Sequence, residues 1–263
     1  MNTVDSDTVL VERRGHVLTL TLNRPHRKNA IDVATWDALY EAIRDAERDE
    51  SVRVVVLTGA GGDFCAGADL VAGRGGHPLA RMHRVNDVAL ALHELSKPVI
   101  AKVRGVAVGA GWNLALGCDL VVSTPEARYS QIFAKRGLSL DFGGSWLLPR
   151  VVGLQQAKRL ALLGEIISGE QALELGLVTW VKDDGELDGF VDELADEIAA
   201  GPPVALSQSK AMLNAAGQQT FREALESEAR AQSVNFATAD APAAFKAFAN
   251  KTEPEFTGEW LVD

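Results

Sequence analysis

The sequence predicts an α/β fold: a mainly parallel sheet layered with helices, running into a helical C-terminal segment. Three observations predict it. Short apolar runs closed by glycine alternate with stretches of helical periodicity, the pattern of strand–helix–strand units. The chain resembles itself at a shift of 44 residues. Beyond Arg150, the strand-like runs give way to helical ones.

The elements follow in order. "VLVERRGHVLTLTLNRP" (9–25) holds two β-rich runs around Arg14-Gly15, a hairpin signal. Asp32 is placed to cap a helix whose apolar positions Val33, Trp36, Leu39, Tyr40 and Ile43 keep helical spacing. "VRVVVLTG" (52–59) is apolar on both faces and ends at glycine, so it reads as a buried parallel strand. Leu79, Met82, Val85 and Leu92 suggest a helix, "KPVIAKVRG" (97–105) a strand, "AGWNLALG" (110–117) a helix start and "CDLVVST" (118–124) a strand. "LQQAKRLALLG" (154–164) and "SGEQALELGLV" (168–178) read as helices ended by glycine, the second with Ser168 as N-cap. Gly201-Pro202-Pro203 is the clearest breaker, and Asp240 with Pro242 marks a later boundary. Residues 1–200 are therefore taken as the core and 201–263 as a C-terminal helical segment.

The 44-residue shift places Val55-Val56 on Val99-Ile100, Gly61 on Gly105, and "AGADL" (66–70) on "AGWNL" (110–114). Each copy reads as a strand, a glycine-rich turn and a helix opened by Ala-Gly. Both are expected to present free backbone N–H groups at a helix N-terminus.

Composition narrows the function. Hydrophobic residues at 47% and charged residues at 24% are globular values. A net charge of −10 without a basic cluster argues against a nucleic-acid partner, although helix N-termini can still bind a phosphate-bearing small molecule. The apolar stretch Val106–Val122 is broken by Asn113 and Asp119 and is too short to span a bilayer. "MNTVDSDTVL" lacks the basic and apolar regions of a signal peptide, and Cys65 and Cys118 read as reduced, buried thiols. A cytoplasmic protein with no membrane partner is expected.

Several chemistries are missing their residues. There is no His-Glu-x-x-His, no paired Cys-x-x-Cys and no ligand spacing among the five histidines, so no metal is expected. Leu147 occupies the last glycine position of a nucleophile elbow around Ser145. Phe64 occupies the third glycine position of a dinucleotide fingerprint in "GAGGDF" (59–64). What remains is a pair of turns built from small residues, at Ala66–Ala68 and Gly109–Ala110, and one acid in apolar surroundings, Asp141 in "GLSLDFGGSWLLPR" (137–150). Two backbone N–H groups converging from such turns make an oxyanion hole, and small residues let a carbonyl approach the main chain.

"DFCAGADL" (63–70), "GVAVGAGWNLALGCDL" (105–120), "GLSLDFGGSWLLPRVVG" (137–153) and "SGEQALELGLV" (168–178) together resemble the enoyl-CoA hydratase/isomerase, or crotonase, family. The resemblance extends from about residue 9 to "FTGEW" (256–260). It implies a spiral of ββα repeats, with the C-terminal segment mediating oligomerisation into a homotrimer or dimer of trimers. It also implies an acyl-CoA thioester as substrate, coenzyme A being part of that substrate and no separate cofactor needed. The N–H groups of Ala68 and Ala110 fall on the oxyanion-hole donors. Ala66, Gly67, Gly109 and the Gly61-Gly62 segment fall where relatives hold the thioester and coenzyme A. Lys251 matches a position that reaches a coenzyme A phosphate, but it also fits an exposed helix lysine.

The departures bear on the reaction. In members that hydrate a double bond, two glutamates flank the substrate; here Asn113 and Phe133 occupy those positions. The segment around Asp141 is similar to family members that isomerise phenylacetyl-CoA epoxide, and to other isomerases, in which an aspartate carries a proton between carbons. A carboxylate among Leu140, Phe142 and Trp146 is expected to have a raised pKa suited to that work. The competing role for Asp141 is N-cap of a helix beginning near Gly143. Asn113 is either a polar positioner of substrate or water, or a satisfied side chain at a helix start. Trp112, Phe133, Phe142, Trp146 and Met82 are candidate walls of an acyl pocket and equally candidate core residues. Isomerisation of an enoyl-CoA or related thioester leads; hydration of a 2-enoyl-CoA and acyl-CoA binding without catalysis are the alternatives. The segment "GRGGHP" (73–78) is expected to border the pocket.

Overall fold

The computed structural model describes residues 8–71 and 76–261. Most of the stretch that carries the signal-peptide expectation, and residues 73–75 of the expectation for 73–78, fall outside them.

The chain opens with an antiparallel hairpin, β1 (Val9–Arg14) and β2 (Val17–Leu22), turning at Gly15. Helix α1 (Val33–Arg48) follows, and the Asp32 carboxylate accepts the Thr35 N–H at 2.9 Å, satisfying one of the helix's free donors. Trp36, Leu39 and Ile43 are buried, whereas Val33 lies exposed on the first turn. The chain then descends into β3 (Val54–Gly59), α2 (Pro78–Glu94), β4 (Val99–Val103), the short β5 (Val106–Val108) and α3 (Ala110–Leu116). Strands β6 (Leu120–Ser123) and β7 (Arg128–Ser130) lead to α4 (Gly144–Leu163), β8 (Ile167–Ser168) and α5 (Gly169–Glu174). Next come β9 (Trp180–Val181), α6 (Asp184–Ala199) and the C-terminal helices α7 (Pro203–Ala215), α8 (Phe221–Asn235) and α9 (Asp240–Asn250).

The strands form two layers. The larger sheet runs β1-β2-β3-β4-β6-β9, parallel throughout after the opening hairpin, and the smaller runs β5-β7-β8. After β4 and again after β6, the chain steps from the large sheet into the small one and then into helix, which is a spiral of ββα units. The turn after β3 joins the small layer through a single bridge, Cys65 to Ala107. The 44-residue repeat is the register of the sheet itself: Val55 faces Val99, Val56 faces Ile100 and Leu57 faces Ala101.

Strand β3 is apolar over its first four positions, Val54–Leu57, because both its faces are covered there. Val55 and Leu57 enter the main core, while Val54 and Val56 pack with Ile100 and Val122 against Leu187, Val191 and Ala195 of α6. Ser168 is the N-cap predicted for α5, and the structure extends it to a capping box, with Ser168 Oγ accepting the Gln171 N–H at 3.1 Å and Gln171 Oε1 accepting the Ser168 N–H at 2.9 Å. The α4 segment is kinked at Gly153 (φ 72°), so the helix expected from residue 154 is its second half. After α9, the tail is held by buried Asp240, which accepts the N–H groups of Thr257 at 2.8 Å and Gly258 at 3.1 Å.

The repeat misleads in one respect. Its second copy opens α3 at Ala110, but its first does not open a helix, since α2 begins only at Pro78. Residues 65–69 are instead non-helical, with bridges to neighbouring segments at Cys65 and Ala68. Ile31 donates to Gly67 O and accepts from Asp69 N, both at 2.8 Å, so β-type pairing has taken the groups a helix would use.

Candidate active site

The two small-residue turns are pressed together. Gly67 has φ +87°, and a Cβ placed on it would sit 2.8 Å from Val108 O and 3.5 Å from Ala110 N. Only glycine lets the first turn lie this close to the second. Cys65 fastens them on the other side, donating its N–H to Val106 O at 2.8 Å and accepting the Val108 N–H at 3.0 Å. Its thiol is buried and its pKa pushed up to about 12 by desolvation, so it acts here as packing rather than as a nucleophile.

Within the first turn, Gly67 O and Asp69 N pair with Ile31, and the Ala68 N–H between them takes no part in that pairing. The Asp69 carboxylate is gripped by Arg24 at 3.2 Å, and Arg24 also pairs with Asp32 at 3.1 Å and donates to Ala30 O. Buried Asn29 completes the support, donating to Ala60 O at 2.8 Å and Asp63 O at 2.6 Å. Ala66 donates to Lys28 O at 2.9 Å. Among the described residues, the N–H groups of Ala68 and Ala110 donate to nothing. Two adjacent turns thus each leave a main-chain donor open, the arrangement that stabilises charge on a carbonyl oxygen.

Gly109 (φ 57°) is the N-cap residue of α3 and donates to Ser130 O at 2.9 Å. The rim of the Phe133 ring lies 3.6 Å from the position a Gly109 Cβ would take, so Phe133 covers this turn. One helical turn on, Asn113 is buried with its amide engaged at both ends: Oδ1 accepts from Gln131 Nε2 at 2.8 Å and Nδ2 donates to Asp141 O at 2.9 Å. Of the two roles open for Asn113, the satisfied side chain is the one this geometry supports.

Asp141 does not cap α4. The N-cap residue is Gly143, without a side-chain bond to the helix, and buried Asp141 Oδ1 has no hydrogen-bond partner. Its main-chain oxygen does the local work, accepting the Gly144 N–H at 2.9 Å to close a turn. Both central residues have positive φ, Phe142 at 47° and Gly143 at 75°, as a type I′ turn requires. Left-handed backbone is unusual for an aromatic residue. Phe142 is held in it by stacking on Trp36, with ring centroids 5.6 Å apart. The Asp141 carboxyl is pushed up to about 6, and burial is the cause.

The remaining candidates separate. Trp112 is a core side chain, wholly buried against Tyr129 with centroids 5.5 Å apart, though its Nε1 has no partner. Trp146 is half-buried between His93, edge-on at 5.4 Å, and the Arg150 guanidinium, 3.6 Å above its ring. Met82 is exposed on α2. Lys251 is exposed and ends α9 in a left-handed conformation (φ 55°); among the described residues its ammonium forms no ion pair. Sequence reasoning missed Gln131, Asn29 and Arg24. Each is a lone polar residue outside any motif, and its importance lies in partners distant along the chain. Among the described residues, no cluster of His, Cys, Asp and Glu is arranged to hold a metal, and no helix is long and apolar enough to cross a membrane.

Two open main-chain donors and a desolvated carboxyl define an enzyme site able to stabilise charge on a carbonyl oxygen and to move a proton. Comparison with known proteins agrees. Residues 12–259 match the enoyl-CoA hydratase/isomerase family. A 1,2-epoxyphenylacetyl-CoA isomerase of Escherichia coli K12 is 41% identical over 250 residues, 92% of this chain and 95% of that one. A short-chain-enoyl-CoA hydratase of Clostridium acetobutylicum is 35% identical over 262 residues, 96% of this chain and 98% of that one. The crystal structure of an enoyl-CoA hydratase from Bacillus anthracis superposes with a TM-score of 0.91 at 31% identity, covering 96% of this chain and 100% of that one. The chain belongs to the enoyl-CoA hydratase/isomerase family and has the crotonase fold.

Proposed function

We propose that this enzyme isomerises an acyl-CoA thioester by carrying a proton between two carbons on Asp141. The Asp141 carboxylate removes a proton from one carbon, and the electron pair moves into the thioester oxygen as an enolate. The N–H groups of Ala68 and Ala110 hold that oxygen. In an enoyl thioester the enolate is conjugated to the carbon–carbon double bond, so the Asp141 acid can return the proton to the far carbon of that bond as the double bond shifts one position toward the thioester and the carbonyl re-forms. Atoms and electrons balance within the substrate, so the reaction needs no cofactor.

The observation that carries this reading is the Asp141 Oδ1 atom, buried and without a partner in a carboxyl raised to about 6. A group so placed is basic enough to take a proton and acidic enough to return it near neutral pH. The kinship with a 1,2-epoxyphenylacetyl-CoA isomerase supports the same direction. Hydration of a 2-enoyl-CoA is the second reading, favoured by the kinship with short-chain-enoyl-CoA hydratase. It needs an acid–base group opposite Asp141, and the two family positions hold an engaged amide, Asn113, and a phenyl ring, Phe133.

As the assembly we propose a homotrimer or dimer of trimers, supported by the exposed Leu213, Phe221, Phe236, Phe245 and Phe248 on or beside α7–α9. A cytoplasmic location is proposed with it, supported by two buried, unpaired cysteines.

The test is deuterium incorporation. Wild type and Asp141→Asn are incubated in D2O with a 3-enoyl-CoA, a 2-enoyl-CoA and a ring-bearing thioester, and label and product mass are followed. Label or double-bond migration in wild type and its loss in Asp141→Asn is the expected result. Addition of water to the 2-enoyl-CoA without migration would favour the hydratase, and tight thioester binding with no exchange would favour a binding protein.

A further inference from the structure

Asn113 connects two parts of the site that the chain makes separately. It lies in the first turn of α3, the helix that begins at Ala110, and its N–H donates to Gly109 O at 3.1 Å. Its side chain reaches across to Asp141 O, the oxygen that closes the Phe142-Gly143 turn. The proton carrier is thereby tied by a single side chain to the element that supplies an oxyanion donor. Contact is tight enough that a Cβ on Gly144 would collide with the Asn113 amide.

The direction of that amide is set from behind. Gln131 is buried, and its Nε2 donates to Asn113 Oδ1 at 2.8 Å. Were the Asn113 amide reversed, its NH2 would face the Gln131 NH2 and its oxygen would face Asp141 O, two repulsive contacts in a dry interior. The order Gln131 to Asn113 to Asp141 O is therefore self-consistent as built. Asp141 belongs to no ion pair among the described residues, so the turn, and not a charged neighbour, determines where its carboxylate points.

We infer that Asn113, oriented by Gln131, is a positioning residue that fixes Asp141 relative to the thioester oxygen held at Ala110. The inference rests on the proposed isomerase reading, and the outcomes below separate the two. Misplacing a reacting group by about 1 Å costs on the order of 100-fold in rate, so the effect belongs in kcat. KM should stay near the wild-type value, because the Asn113 side chain is buried and both ends of its amide are engaged within the protein.

Two variants test it. Asn113→Leu keeps the approximate shape and removes both hydrogen bonds. Asn113→Asp keeps the acceptor for Gln131 and can donate to Asp141 O only while protonated. We expect Asn113→Leu to lower kcat by about 10- to 100-fold with KM within a few-fold. Asn113→Asp should show a limb that falls with rising pH as residue 113 ionises, where wild type has only a rising one. Wild-type kcat and pH profile in both folded variants would overturn the inference, and so would a loss confined to KM.

A readout independent of turnover covers variants too slow to assay. With carboxyl-labelled aspartate, the Asp141 resonance is identified by its absence in Asp141→Asn and titrated in wild type and Asn113→Leu. Release of the turn should let water reach the carboxylate and move its titration down toward the ordinary range. An unmoved titration overturns the inference whether or not a substrate has been found. A moved titration in a protein that transfers no proton would support the positioning role and overturn the isomerase reading alone.

Discussion

Replacing Asp141 with asparagine should abolish proton transfer yet make the protein more stable, and the size of the gain should depend on pH. The carboxyl rises from the ordinary 3.8 to about 6, and burial is the cause. At about 1.4 kcal/mol per pH unit, keeping this carboxylate ionised in the fold costs about 3 kcal/mol above pH 7. Asparagine carries no charge to desolvate but leaves an oxygen where Oδ1 lacks a partner, so a gain of roughly 1–3 kcal/mol is expected. The sign follows from proton binding. Between pH 3.8 and about 6, the native state holds a proton that the unfolded chain has lost, so wild-type stability falls as pH rises through that window. Above it the penalty is complete; below it both proteins are neutral at residue 141 and the gap closes. Urea denaturation of both proteins at pH 8 and at about pH 4.5, at one protein concentration because assembly contributes to stability, measures the gap. A gap equal at both pH values, or an asparagine variant less stable at pH 8, would mean that the carboxylate is solvated or paired, and the argument from burial would fail.

Two other substitutions test the scaffold. Gly67→Ala places a methyl 2.8 Å from Val108 O at a φ of +87°, and should cost about 2–4 kcal/mol and on the order of 100-fold in kcat by prising the two donor turns apart; thermal midpoints with proton-exchange rates measure both. At Phe142, alanine loses the stack on Trp36 but keeps the left-handed strain, whereas glycine loses the stack and relieves it. Phe142→Gly should therefore be more stable than Phe142→Ala by about 1 kcal/mol, the reverse of the usual order, as measured by denaturation.

Much of the fold was legible because local and long-range signals agreed. The Gly15 turn, the Asp32 cap, the Ser168 capping box and the apolar run of β3 each follow from residues within a few positions of one another. The 44-residue repeat carried longer-range information, since a parallel register must place like strands side by side. Strands β5, β7 and β8 were not legible, because two or three residues are too few to show alternation and their existence depends on partners elsewhere. The first Ala-Gly copy was misread as a helix start because its backbone groups are claimed by Ile31, more than 30 residues away. At the site, the residue types were legible and the supports were not. Asp141 announced itself as a charge in an apolar segment. Gln131 could not, since nothing in "YSQIF" reveals that its amide orients Asn113.

The places where local rules are broken converge on one element. Asp141 has a buried oxygen without a partner, Phe142 has a backbone conformation that aromatic side chains avoid, and Gly144 tolerates no side chain. Each would be relieved by a small change: a polar neighbour for Asp141, glycine for Phe142, or a wider turn. All three instead occur within four consecutive residues, held by Trp36 against Phe142 and by Asn113 at Asp141 O. Strain of this kind persists only where the surroundings over-determine it. A structural turn has no need of that rigidity, since α4 could begin from a relaxed loop with an aspartate cap. A proton carrier does need it: the carboxylate must remain desolvated, within reach of two carbons and at a fixed distance from the oxyanion donors, and a mobile turn would let it escape to water.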